Sequence, residues 1–360
     1  MLNHPSHIIA EEQTEIIRQF APAAEKAGRL APEQLRIVYT NNWFNLFVPV
    51  RFGGMGLSLP DALKLEEAIA WADGSLGWTV TLCSGANWFI GFLPDETRGQ
   101  FFSGKQVCLA GSGQATGVAT RIPGGFEVTG NWKFATGSTH ATAFTANCYI
   151  ERDGLGEMDE EGQPVIRSFI FLPEEVQVVR SWNTIGMVAT ASHGFMVNSL
   201  EVPSNRSFCI SSATAVLKDP IYQYPFLQLA ETTLIVNLSG MVLRFLELGA
   251  AMLGPSSTAF EQNALQLAEF QQKRESFFLA VEESWIRSQD SQDAMVLAPQ
   301  DHLMAVSSAA RMLFDQAMGA VDSCYLLYGL GAADPATEIN RVWRNIHTAS
   351  QHKLFRWADT

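Results

Sequence analysis

Charge is scarce in this chain. Asp, Glu, Lys and Arg make up 17% of its 360 residues, where an average soluble protein has about 25%. Basic residues are the scarcer sign, with 24 Lys and Arg against 37 Asp and Glu and a net charge of −13. That balance excludes a nucleic-acid binder, which needs basic surface to neutralise phosphates. With 47% hydrophobic residues, the shortage of charge points to buried surface beyond an ordinary core, such as a subunit interface.

Clustered cysteine is also missing. Cys83, Cys108, Cys148, Cys209 and Cys324 are scattered without a CxxC pair, as in a cytoplasmic protein with reduced thiols. The N-terminus has no basic stretch leading into an apolar run, so no signal peptide is expected. The most apolar segment, residues 226–254, carries Glu231, Asn237, Arg244 and Glu247. It reads as a buried helix, and no membrane partner is expected. There is no P-loop, HExxH or GxSxG. The glycines at 111–117 and 329–331 lack the strand–turn–helix setting of a dinucleotide fold. His347 and His352 lie about 140° apart on a helix, and no metal site is expected.

What is present falls into three stretches. Residues 8–50 repeat apolar positions at helical spacing, and a second helical stretch after Ser58 breaks near Asp73-Gly74-Ser75. From about Lys105 to Pro203 the chain alternates apolar and polar residues between turns at 123–125, 153–154 and 161–162, as strands do. From Pro220 it is helical again, with helices apolar on most faces, as in a bundle or an interface. The expected domains are 1–104 (helical), 105–218 (β) and 219–360 (helical).

Several strings in this order resemble the acyl-CoA dehydrogenase superfamily. They are VPVRFGGMG at 48–56, EEAIAWADGSLGW at 66–78, GGFEVTGNWKFATG at 124–137, SWNTIGMVATAS at 181–192 and EVP at 201–203. The resemblance covers most of the chain. It implies an α+β fold with an N-terminal helical domain, a central β-barrel and a C-terminal four-helix bundle. It also implies a flavin, FMN or FAD, and a homotetramer built through the bundle. Trp132, Phe134, Thr136, Gly137, Trp182, Met187 and Thr190 match the family's flavin-contacting strands.

The branch follows from the C-terminal string. Dehydrogenases need a carboxylate to remove a proton from an acyl thioester, and the usual position of that glutamate falls on Ser350, which cannot act as a base. Glu231 lies near the place used by a minority branch and is the alternative base. The segment RVWRNIHTASQH at 341–352 is instead similar to the two-component flavin-dependent monooxygenases, the branch of 4-hydroxyphenylacetate hydroxylases and dibenzothiophene monooxygenases. There His352 takes the position of the histidine at the flavin, and WKFATGSTH at 132–140 places Thr136 where that branch has a serine.

The resemblance therefore implies His352 and Thr136 as the catalytic pair. Thr136 would hydrogen-bond the flavin edge, and His352 would act as an acid/base titrating near neutrality. Arg274, Arg311 and Arg341 are candidates for the flavin phosphate. On an ideal helix His352 shares a face with Arg341 and Asn345, while Ser350 points about 200° away. Two positions depart from the branch: Ala86 stands where a second histidine is usual, and Asn345 where an aspartate is usual. The expected activity is oxygenation of a small organic substrate with reduced flavin from a partner reductase. The other readings are an acyl-CoA dehydrogenase and a degenerate member without catalysis.

Overall fold

The computed structural model describes residues 2–104, 106–290 and 300–356. Lys105, the expected first residue of the β stretch, and residues 357–360 of the last lie outside the described residues. Five helices come first: α1 (Glu11–Ala27), α2 (Pro32–Thr40), α3 (Leu59–Ala72), α4 (Gly74–Asn87) and α5 (Asp95–Phe101). Asp73 makes the expected break. Its backbone is extended, and its carboxylate accepts the Leu76 N–H at 2.9 Å, ending α3 and capping α4.

Eight strands follow: β1 (Leu109–Ile122), β2 (Gly125–Ala135), β3 (Ala143–Arg152), β4 (Leu155–Gly156), β5 (Ile166–Phe171), β6 (Gln177–Val179), β7 (His193–Pro203) and β8 (Ser207–Phe208). They form one sheet in the order β6-β7-β2-β1-β3-β5-β8, with β4 on β3. β1 and β3 pair in parallel, and the other neighbours are antiparallel. The sheet is the expected central β domain, rolled strongly toward a barrel, although among the described residues its ends, β6 and β8, do not pair with each other. β2 and β5 would stand about 14 Å apart in a flat sheet, yet the rings of Phe126 and Phe169 meet at 5.2 Å. Phe144 of β3 and Phe195 of β7 likewise meet at 5.0 Å. The sheet thus wraps its own aromatic core, filled by Trp132, Phe144, Phe169, Phe171 and Phe195.

Four long or amphipathic helices complete the chain: α6 (Phe226–Met252), α7 (Thr258–Asp290), α8 (Gln300–Tyr325) and, after the short α9 (Leu330–Ala333), α10 (Glu338–Ala349). α6 is long and apolar enough to cross a membrane, but most of it is buried in the protein. It packs on α3, α4 and α8, so the first and last helical stretches share one continuous core. Close approach explains two glycines. A Cβ on Gly77 would sit 2.5 Å from Ala70 Cα, and one on Gly240 would sit 2.2 Å from the Glu67 carbonyl oxygen. Inside this core Arg274 holds Glu67 through two hydrogen bonds of 2.6 Å, a paired arrangement that satisfies both buried charges.

Candidate active site

A cavity of about 1070 Å³ opens where α4, the rolled sheet, the start of α6 and the end of α10 meet. Its walls are mostly apolar, with Phe47, Trp78, Leu82, Phe89, Phe226 and Leu227 among them. Among the described residues no Asp or Glu lines it, and its basic groups are Lys353 and Arg356, with His347 and His352. A cavity of this size suits a cofactor together with a small substrate.

One wall is built by the end of β2. The β2–β7 register slips between Trp132 and Ala135, and within that bulge Phe134 takes a left-handed backbone, φ 67°. A bulge re-aims side chains, and here it turns the half-exposed Phe134 ring toward the cavity, edge-on to Trp182 at 6.1 Å. The chain then reverses at Thr136-Gly137, where Gly137 has φ +78°.

The reversal is laced to residues 184–192. Gly137 N–H donates to the Thr190 carbonyl at 2.9 Å, and Ser138 Oγ donates to the Ala191 carbonyl at 2.7 Å. The hydroxyls of Thr136, Ser192 and Thr190 form a chain with two 2.8 Å links, and Thr190 Oγ1 passes it on to the Met187 carbonyl at 2.7 Å. Trp182 Nε1–H donates to the same carbonyl at 2.9 Å. Met187 (φ 54°) and Ala191 (φ 48°) are also left-handed. Three non-glycine residues in this region, all beside one cavity, mark backbone strain gathered at a functional place.

α10 clamps the other side of this segment. Asn345 Oδ1 accepts the Met187 N–H at 2.6 Å, and Arg344 donates to the Ile185 carbonyl at 2.7 Å while pairing with Glu25 of α1. Gly186 lies so close to α10 that a Cβ would be 2.1 Å from the Arg344 carbonyl oxygen.

His352 stands in the cavity wall, edge-on to Trp78 with ring centroids 5.9 Å apart. α10 ends at Ala349, so the helical-face comparison with Ser350 does not apply. His352 instead caps the following turn, its Nδ1 accepting the Leu354 N–H at 3.3 Å. An Nδ1 that accepts leaves the ring proton of the neutral form on Nε2. Burial, and then the neighbouring Lys353, push its pKa down to about 4. His352 is therefore a neutral Nε2–H donor at pH 7, which corrects the expectation of a group titrating near neutrality.

The expected site residues divide. Thr136, Phe134, Trp182 and His352 meet at the cavity. Gly137, Met187 and Thr190 lie behind its wall and act through the backbone and hydroxyl links above. Trp132 is fully buried in the sheet core, stacked on Phe195 at 5.2 Å with its Nε1–H on the Asn147 carbonyl. Arg341 is buried outside the cavity, 4.0 Å from Asp73. Arg274 is committed to Glu67, and Arg311 lies exposed on α8. Ala86 does line the cavity.

The alternative base, Glu231, faces α8, where Ser307 Oγ donates to it at 2.5 Å. It is not on the cavity wall, so it cannot remove a proton from a molecule bound there. Asn345 was legible only as a departure from the branch, and Ser192, His347, Lys353 and Arg356 were not legible as site residues. Only the basic pair after His352, in a chain poor in basic residues, offered a signal.

The residues present fit a flavin. Trp182 and Phe134 offer aromatic surfaces, Thr136 and Ser192 offer hydroxyls at the wall between them, and Lys353 and Arg356 are the cations available to a phosphate.

The chain is similar to several known proteins. Residues 251–357 match the family model for the C-terminal domain of acyl-CoA dehydrogenases. The indole-3-acetate monooxygenase of Pseudomonas putida is 26% identical over 255 residues, which are 67% of this chain and 63% of that protein. That match spans less than two thirds of the relative's length. The oxygenase subunit of a flavin-dependent monooxygenase from Rhodococcus jostii is 21% identical across 93% of this chain and 91% of its own. Among solved structures, XiaF from a Streptomyces species, in complex with FADH2 and glycerol, superposes with a TM-score of 0.80 at 20% identity. That likeness covers 96% of this chain and 91% of the other.

Proposed function

We propose that this chain is a member of the acyl-CoA dehydrogenase superfamily and the oxygenase component of a two-component flavin-dependent monooxygenase acting on a small organic substrate. The observation that carries the reading is the hydroxyl chain Thr136–Ser192–Thr190, fixed at one wall of an apolar cavity whose other wall holds His352. When bound, reduced FMN or FAD supplies the electrons that activate dioxygen. The relatives' descriptions name FADH2 and an oxygenase subunit, which supports a separate reductase as partner.

The chain's own residues supply position and dryness. Trp182 and Phe134 would hold the ring system, and Lys353 and Arg356 would attract the phosphate. Thr190 donates to the Met187 carbonyl, so Ser192 donates to Thr190 and Thr136 to Ser192, which leaves the Thr136 oxygen to accept a hydrogen bond from the flavin edge. His352 Nε2–H donates a hydrogen bond to oxygen or substrate across the cavity. Trp78, Leu82 and Phe89 exclude water, which strengthens each of these polar contacts. Among the described residues no carboxylate lines the cavity, which favours the monooxygenase reading over that of an acyl-CoA dehydrogenase. The exposed Leu265, Leu279 and Ile286 on α7 and Met304 and Met312 on α8 support assembly through the bundle, as a homotetramer. Five free cysteines support a cytoplasmic setting.

The test is oxygen consumption with a flavin reductase, NADH and a panel of phenols and indoles. The expected result is that the protein suppresses hydrogen peroxide release and that oxygen-18 from dioxygen enters one substrate. Reduced flavin that reoxidises at the same rate with and without the protein would overturn the reading.

A further inference from the structure

Beside the cavity wall, three residues far apart in sequence come together. Cys83 lies on α4, Cys108 just before β1 and His140 in the turn after β2. Their sulfurs and an imidazole nitrogen all lie within 4.8 Å of one another. Both cysteines are fully buried. Both ring nitrogens of His140 are shielded from solvent, and apart from the neighbouring Cys83 thiol they have no hydrogen-bond partner among the described residues. A buried polar group without a partner costs free energy and is rare in native proteins.

Packing fixes the ring for one purpose. His140 stacks on Phe44 with centroids 5.6 Å apart and planes 17° apart. Gly137 opens the space between the groups: a Cβ there would lie 2.8 Å from Cys83 Sγ and 3.2 Å from His140 Nε2.

We infer that Cys83, Cys108 and His140 form a binding site for a thiophilic d10 cation, with zinc(II) as the ion that fits. Two thiolates and one imidazole are a soft donor set of the kind zinc takes, with three protein ligands leaving one position for solvent or a carbonyl. Zinc bond lengths of about 2.3 Å to sulfur and 2.0 Å to nitrogen put tetrahedral ligands about 3.5–3.8 Å apart, so a contraction of about 1.3 Å at most closes the site. The charges also balance. Two thiols lose two protons, and the product of Zn2+, two thiolates and a neutral imidazole is uncharged, the state a buried site tolerates best. The site would hold the turn that presents Thr136 through His140, which lies in that turn, in place of the Cys83 S–H donated to the Thr136 carbonyl in the metal-free protein. It would then act as a structural staple behind the cavity wall.

The experiment uses flavin-free, full-length, reduced protein and zinc as the probe. After equilibration and gel filtration, the expected result is about one zinc retained per chain by atomic emission, release of about two protons per zinc in weak buffer, and a raised Tm. Cobalt in place of zinc should give the visible absorption of a tetrahedral thiolate complex. Cys83→Ser, Cys108→Ser and His140→Ala should each lose this absorption, while Cys148→Ser, a cysteine buried in the sheet away from the cluster, keeps it. Wild-type protein that retains no zinc or cobalt overturns the site whatever the variants do. So does protein purified without reductant in which Cys83 and Cys108 resist alkylation as a disulfide and, once reduced, bind neither ion.

Discussion

Asn345 on α10 accepts the Met187 backbone N–H at 2.6 Å and thereby holds a left-handed residue behind the cavity wall. Asn345 is buried, so nothing else can take its place. Replacing it with Leu strands a buried N–H, and the expected cost is about 1–3 kcal/mol. Urea denaturation should show that loss. Reduced-flavin affinity should fall with it, because the segment from Trp182 to Ser192 loses its clamp. A variant with unchanged stability and affinity would show that the clamp is idle.

The Thr136 hydroxyl, linked at 2.8 Å to Ser192, should matter more than its methyl group. Thr136→Val keeps the shape and removes the hydroxyl. Product formed per reduced flavin should drop about tenfold or more, the worth of one hydrogen bond to a charge-bearing group. Thr136→Ser should retain the wild-type yield. Equal yields for the valine and serine variants would remove the hydroxyl from the mechanism.

His352 makes a prediction about acid. Its folded-state pKa is about 4, against about 6.5 in an unfolded chain. Between those values the unfolded chain binds a proton that the folded chain does not. Stability therefore falls as pH drops from about 6.5 toward 4. His352→Asn should flatten that part of a Tm-against-pH curve. In wild-type protein the His352 ring resonance should stay fixed from pH 6 to 8, and a midpoint in that range would contradict a neutral donor.

Glu66 works with the opposite sign. Burial pushes its pKa up to about 8, against a smaller downward pull from the Ser84 hydrogen bond. From about 4.5 to 8 the unfolded chain releases a proton that the folded chain keeps, so wild-type stability declines as pH rises. Glu66→Gln mimics the protonated form and lacks that decline. Its Tm advantage over wild type should grow steadily from pH 5 to pH 8. A constant difference would mean that Glu66 is already ionised.

The order of elements was legible because apolar spacing changes from helical to alternating and back. The break at Asp73 was legible because an Asp-Gly-Ser run both stops one helix and caps the next. Thr136, Phe134, Trp182 and His352 were legible through strings that carry a family resemblance. Trp132 lies in the same string but points into the sheet, since side chains alternate along a strand and the bulge comes two residues later. Arg341 was misread, and the alternative base Glu231 left open, for one reason: their partners, Asp73 and Ser307, come from distant segments. The Cys83–Cys108–His140 cluster was invisible for the same reason. Local spacing reports ligands on one element, and this cluster draws on three.

The burial of α6 sets the order in which the chain can mature. This apolar helix leaves the ribosome before α7, α8 and α10, which supply much of its cover, and its earlier partner α3 lies across the whole β stretch. A nascent chain of about 255 residues therefore carries its greasiest segment with only half of its sheath. That interval is when exposed apolar surface invites aggregation or a chaperone. The same helix that unites the finished molecule makes truncation after Met252 the most hazardous place to stop.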